Sequence, residues 1–80
     1  MQDVRWPLLK RLLVADGWTW QEETLYAPRQ TMWFTTNAET PNYAEFRDRM
    51  SETLEDVDQV DLHADLVSLV SALDTVLRGN

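Results

Sequence analysis

The chain has no cysteine and only one histidine. Disulfides are thereby excluded as a source of stability, and so are the Cys/His ligand sets that hold a structural zinc. With two glycines and three prolines, it contains no low-complexity stretch, and no internal repeat is present. Basic residues are scarce as well: seven Lys and Arg stand against fourteen Asp and Glu, giving a net charge of −7 and a pI near 4.4. Affinity for nucleic acid comes largely from clustered Lys and Arg, so a phosphate backbone is not expected as a partner. Anionic membrane surfaces are disfavoured for the same reason. No apolar run is long enough to span a membrane. The opening MQDVRWPLLKRLLVADG, interrupted by Lys10, Arg11 and Asp16, lacks the apolar run and cleavage site of a secretory signal. The expectation is a cytoplasmic protein.

What the chain does have is aromatic surface. Trp18, Trp20 and Trp33 fall within the single stretch GWTWQEETLYAPRQTMWF. At 80 residues one domain, 1–80, is expected, in a size range where folding buries only about 60% of the unfolded surface. Without disulfide or metal, such a domain gains stability from large aromatic side chains or from association with another chain. A hydrophobic content of 44% places it among folded chains despite its charge. The charge itself is uneven. Residues 1–36 set Arg5, Lys10, Arg11 and Arg29 against four acids, whereas the remainder sets three arginines against ten acids.

Hydrophobic spacing predicts a first helix over about 3–16, with Asp3 as N-cap, Leu8, Leu9, Leu12 and Leu13 as its apolar stripe and Gly17 as its stop. Trp, Thr, Tyr and Phe then favour a β-hairpin with strands near 18–26 and 31–36 around Pro28 and Arg29. That loop pairs Tyr26 with Thr31, Leu25 with Met32, Thr24 with Trp33 and Glu23 with Phe34. Alternation sorts Leu25, Met32 and Phe34 to one face and Trp18, Trp20, Tyr26 and Trp33 to the other. A bulge near Glu22 and Glu23 would scramble this sorting. Thr40-Pro41 opens a second helix over about 41–57, with Tyr43, Phe46, Met50, Leu54 and Val57 at steps of three and four. Leu62, Leu66, Leu69, Val70, Leu73, Val76 and Leu77 mark a third over about 60–78, capped by Asp58 or Asp61. The fold class is α+β in the order α-β-β-α-α, an antiparallel hairpin covered by three helices. A second copy would extend so small a sheet.

No catalytic constellation stands out. The helical neighbours of His63 are Gln59, Val60, Leu66 and Val67, none a carboxylate, thiol or hydroxyl, and Ser51, Ser68 and Ser71 lack the glycines of a nucleophile elbow. The acids between Glu52 and Asp65 lack a calcium-loop glycine and terminal glutamate, so they are read as helix caps and solvated charge. Asp48, Glu52 and Asp56 nevertheless align at i, i+4 and i+8 as an acidic flank suited to a basic partner. Trp18, Trp20, Tyr26 and Trp33 carry the best functional signal, either as core or as a contact surface. The reading is a small acidic cytoplasmic protein-interaction module without catalysis or cofactor, expected as a homodimer, with a protein partner or a second copy of itself on its contact surface. An antitoxin-like inhibitor covering a basic surface is one rival, and an aromatic ligand cleft another. No specific metal binding is expected: calcium, magnesium, manganese or zinc should leave the melting temperature unchanged, and a saturable rise abolished by Asp56→Asn or Asp61→Asn would refute this.

Overall fold

Leu9 and Leu13, one helical turn apart, set the first element, Arg5–Ala15 (α1), and both are fully enclosed. The computed structural model describes residues 5–22, 24–35 and 42–79. Asp3, expected as N-cap, lies outside them. Helix α1 ends in a Schellman motif. Gly17, at φ +103°, donates its N–H to the Val14 carbonyl at 3.1 Å, and Trp18 donates to the Leu13 carbonyl at 3.0 Å. That backbone conformation suits glycine, which has no Cβ to clash. The motif brings Trp18 back over Leu13, and both side chains are buried.

The sheet departs from the expected hairpin. The stretch read as one strand is two, Thr19–Gln21 (β1) and Thr24–Tyr26 (β2), because the chain reverses between Gln21 and Thr24, which are cross-strand partners. Glu22 adopts φ +56° at this reversal, the left-handed conformation that tight hairpin connections require at their first position. Trp33–Thr35 (β3) completes an antiparallel sheet of order β1-β2-β3.

The expected pairing of the second hairpin is corrected by two residues. Tyr26 faces Trp33 rather than Thr31, Leu25 faces Phe34 rather than Met32, and Thr24 faces Thr35 rather than Trp33. Glu23, expected opposite Phe34, is outside the described residues. The cause is the loop, which is longer than the two or four residues assumed. Ala27 N–H donates to the Met32 carbonyl at 3.0 Å, and within the loop Gln30 N–H donates to the Ala27 carbonyl at 2.9 Å. A slip of two preserves the side-chain alternation, so Tyr26 and Trp33 still share a face opposite Leu25 and Phe34. The reversal at Glu22 has the larger effect. It sets Trp20 against Leu25, so Trp20, with Trp18 two residues before it, joins the core face.

Asn42, rather than the expected Thr40, caps the second helix, Tyr43–Asp56 (α2), and its Oδ1 accepts from Glu45 N–H at 3.0 Å. Thr40 and Pro41 are outside the described residues. The third helix, Val60–Leu77 (α3), is capped by Gln59, whose Oε1 accepts from Leu62 N–H at 2.8 Å. Neither Asp58 nor Asp61 takes that role; Asp61 instead lies in the first turn, where its charge meets the positive end of the helix dipole. Helix α3 packs against both α1 and α2 and buries Leu66, Leu69, Ala72, Leu73 and Val76. Each enclosed leucine is worth roughly 1.5–3 kcal/mol relative to exposure. That burial, rather than the ladders of three-residue strands, holds the sheet. A glutamate at positive φ costs about 1 kcal/mol relative to a residue that adopts it readily. Glu22→Asn should therefore raise the denaturant midpoint, and an unchanged or lower midpoint would contradict this account of the turn.

Candidate functional site

The core face of the sheet explains two of the tryptophans. Trp18 is 2% exposed and packs edge-on to Phe34, with ring centroids 5.8 Å apart, and Phe34 in turn meets Phe46 at 5.3 Å. The Trp18 indole Nε1 donates to Ser68 Oγ at 3.1 Å, and that hydroxyl donates to Asp16 Oδ2 at 3.0 Å. The chain of bonds joins the end of α1, the entry to β1 and the middle of α3. Trp20 is half-buried, edge-on to Trp6 at 5.7 Å, with Lys10 Nζ 4.1 Å from its ring centroid, within range of a cation–π attraction.

Tyr26 and Trp33 lie on the opposite face. They are direct cross-strand partners and are 37% and 65% exposed. Of the four aromatic residues expected at a contact surface, the structure thus places these two side by side on the surface and turns Trp18 and Trp20 inward. A groove of about 450 Å³ runs beside them, lined also by Thr19, Gln21, Gln30 and Met32. Ala27 and Pro28 also line it, and none of the described residues that do so is Asp, Glu, Lys or Arg. A second groove, of about 410 Å³, lies on α1 and contains Lys10 and Arg11.

The loop that shapes this groove is held from behind by Asp65, one of the acids expected as a helix cap or solvated charge. Its carboxylate is fully buried in α3. It accepts from Thr31 Oγ1 at 2.7 Å, from Arg29 Nη1 at 3.2 Å and from Arg29 backbone N–H at 3.3 Å. A buried carboxylate is tolerated when donors of this kind satisfy it. The same bonds pull Arg29, the loop's one cation, toward α3, where its Nε also stands 3.9 Å from Asp61. A signal for Asp65 is present in the sequence. It falls three residues after Leu62 and four before Leu69, on the apolar stripe, where a solvated acid would not belong.

The acidic flank lies along α2, with Asp48, Glu52 and Asp56 all exposed. Asp48 accepts from Arg47 at 3.3 Å, while Arg47 Nε donates to Asp74 of α3 at 2.8 Å. The hydrogen bond to Asp74, then that to Asp48, raises the Arg47 pKa above its ordinary value. His63 is exposed, and its side chain makes no hydrogen bond or ion pair with a described residue. Among the described residues no group of three His, Cys, Asp or Glu is placed to hold a metal ion, and none of their helices is long and apolar enough to cross a membrane. Comparison with protein families, with curated proteins and with solved structures finds no match to this chain.

The two sheet faces differ in their expected response to truncation. Phe34→Ala, which removes a ring between Trp18 and Phe46, should cost about 3 kcal/mol. Asp65→Ala, which leaves Thr31 and the Arg29 N–H without their acceptor, should cost about 2–3 kcal/mol. Trp33→Ala should change stability by less than about 1 kcal/mol. Urea midpoints for the three variants check the ranking, and a Trp33→Ala loss as large as that of Phe34→Ala would assign Trp33 to the core.

Proposed function

We propose that this chain is a cytoplasmic protein-interaction module without catalytic chemistry, whose contact surface is the outer sheet face carrying Tyr26 and Trp33. One observation carries the reading: Trp33 is 65% exposed beside an exposed Tyr26. An indole left in water forgoes the burial that a small cysteine-free domain needs, and Trp and Tyr are the residues most enriched at binding hot spots. A preformed site supports it further, since the Asp65 bonds fix the loop before any partner arrives.

A homodimer is one form of this reading. Two chains of charge −7 repel, and an uncharged face is where they meet with fewest like charges opposed. Against edge-to-edge pairing, β1 and β3 are each three residues long, which leaves little ladder to extend. A different partner on the face itself is therefore the preferred occupant. The acidic flank Asp48, Glu52 and Asp56 supports the rival in which a basic protein is covered, with contacts that weaken steeply as salt rises.

Affinity capture from cell extract separates these readings. Wild type should retain a partner that Trp33→Ala loses at equal melting temperature, with little change on adding salt. Equal recovery by both, or loss only on neutralising Asp48, Glu52 and Asp56, would overturn the assignment to the sheet face.

A further inference from the structure

The chemistry of the groove narrows what can occupy it. Charged residues make up 26% of the chain, yet among the described residues none lines this groove. A charged peptide would therefore lose hydration there without gaining an ion pair. The side chains of Gln21, Tyr26, Gln30 and Trp33 make no hydrogen bond to other described residues, so their donors are free for a ligand. The Trp33 indole N–H can only donate, while the tyrosine hydroxyl and the two amides donate as well as accept. A ligand rich in acceptors and without charge can use the indole N–H and both amide NH2 groups.

A proline-rich segment has those properties. Proline carries no backbone N–H, and a polyproline II helix makes no internal hydrogen bonds, so its carbonyls are all available. Its rings are compact and apolar enough to pack against the faces of exposed aromatic side chains. The dimensions agree. Thr19, Tyr26 and Trp33 form one row across three adjacent strands, about 10 Å from end to end at the usual strand spacing. Tyr26 and Trp33, in adjacent strands, lie about 5 Å apart at that spacing, so one ring stacks over the pair, and ring i+3, one polyproline II turn or about 9 Å further, reaches Thr19 at the far end of the row. Such a ligand is already ordered in solution, so a small site loses little entropy in binding it.

We propose that this groove binds an uncharged, proline-rich peptide segment in the polyproline II conformation, with Trp33 and Tyr26 as the stacking pair and Gln21 and Gln30 as donors to its carbonyls. The assignment rests on the sheet face being a contact surface and names its ligand class.

The test titrates the full chain with a synthetic, end-blocked, uncharged peptide of about ten residues carrying prolines at i and i+3 in repeat, followed by the indole N–H signals in a heteronuclear spectrum. Trp33 should shift saturably while the buried Trp18 signal does not. Trp33→Ala should weaken binding by at least about tenfold. Gln21→Ala, which leaves the aromatic pair intact, should weaken it by a smaller factor. The affinity should change less than about twofold between low and high salt, because none of the described lining residues is charged. A peptide with glycine in place of proline should not bind. Absence of any Trp33 shift at millimolar peptide would overturn the proposal, as would a shift produced by a neutral oligosaccharide but not by the peptide. A Trp33 signal that moves only on dilution, with light scattering reporting a dimer, would give the face to a second copy and overturn it too. The two levels fail separately. Peptide silence alongside a cellular partner lost in Trp33→Ala rejects only the proline ligand, whereas a Trp33→Ala variant that keeps that partner rejects the contact face as well.

Discussion

The Asp65 carboxylate, buried in α3 and closed by Thr31 and Arg29, is the interaction on which the placement of the sheet depends. Burying a carboxylate is costly, and a well-packed apolar side chain at the same point would serve stability as well. An apolar side chain has no direction, however. Three bonds converging on two oxygens fix where the 27–32 loop sits along α3, and with it the register in which β3 returns along β2. They also determine what the loop shows on its other side: with the Arg29 guanidinium turned toward Asp65 and Asp61 of α3, Pro28, Gln30 and Met32 are left to line the outer groove. A structural contact on one side of the loop thus sets the chemistry of the surface on the other.

The second tether is the line Trp18–Ser68–Asp16. Because the Schellman turn at Gly17 ends α1 and delivers Trp18 in one step, helix, strand and α3 are joined within a few residues of chain. Phe34 and Phe46 extend this contact toward α2. A chain with no cysteine gains here what a disulfide would otherwise supply, a fixed relation between elements distant in sequence, by burying indole surface around one satisfied hydrogen bond.

The helices were legible because each apolar stripe repeats over two or more turns, and the stops at Gly17 and Gly79 are glycines at positive φ. The α+β class followed from their order. The turn at Glu22 was not legible, for a physical reason: it lacks the Asn-Gly or Asp-Gly that marks a tight hairpin, and two consecutive glutamates inside an aromatic run read as one on each face of a continuing strand. The register of β3 was missed by two residues because Gln30, not a glycine, takes the left-handed position in its loop. Face assignments of Tyr26, Trp33, Leu25 and Phe34 survived that error, since alternation is insensitive to an even slip. For the candidate site, half of the aromatic set was therefore readable. Trp33 and Tyr26 were separated from Phe34 by parity alone, while Trp18 and Trp20 were assigned to the wrong side by a turn the sequence does not announce.

That turn also resolves a conflict that the linear pattern poses. A single strand from 18 to 26 would hold Trp18, Trp20 and Tyr26 on one side and leave Leu25 and Phe34 on the other, so both faces of the sheet would need cover that three helices cannot provide. Reversing the chain at Glu22 pairs Trp20 with Leu25 and gathers the large apolar side chains on the face that α1 and α3 can reach. The strain of a glutamate at φ +56° is about 1 kcal/mol, small beside the cost of leaving a second indole in water. The reversal accounts for every large aromatic of the sheet except Tyr26 and Trp33. Their exposure is not demanded by the packing: a threonine or lysine at either position would satisfy the strand, the turn and the core equally well. The outer pair is thus the one aromatic feature of the chain that folding does not explain, and it is on this pair that the proposed contact surface rests.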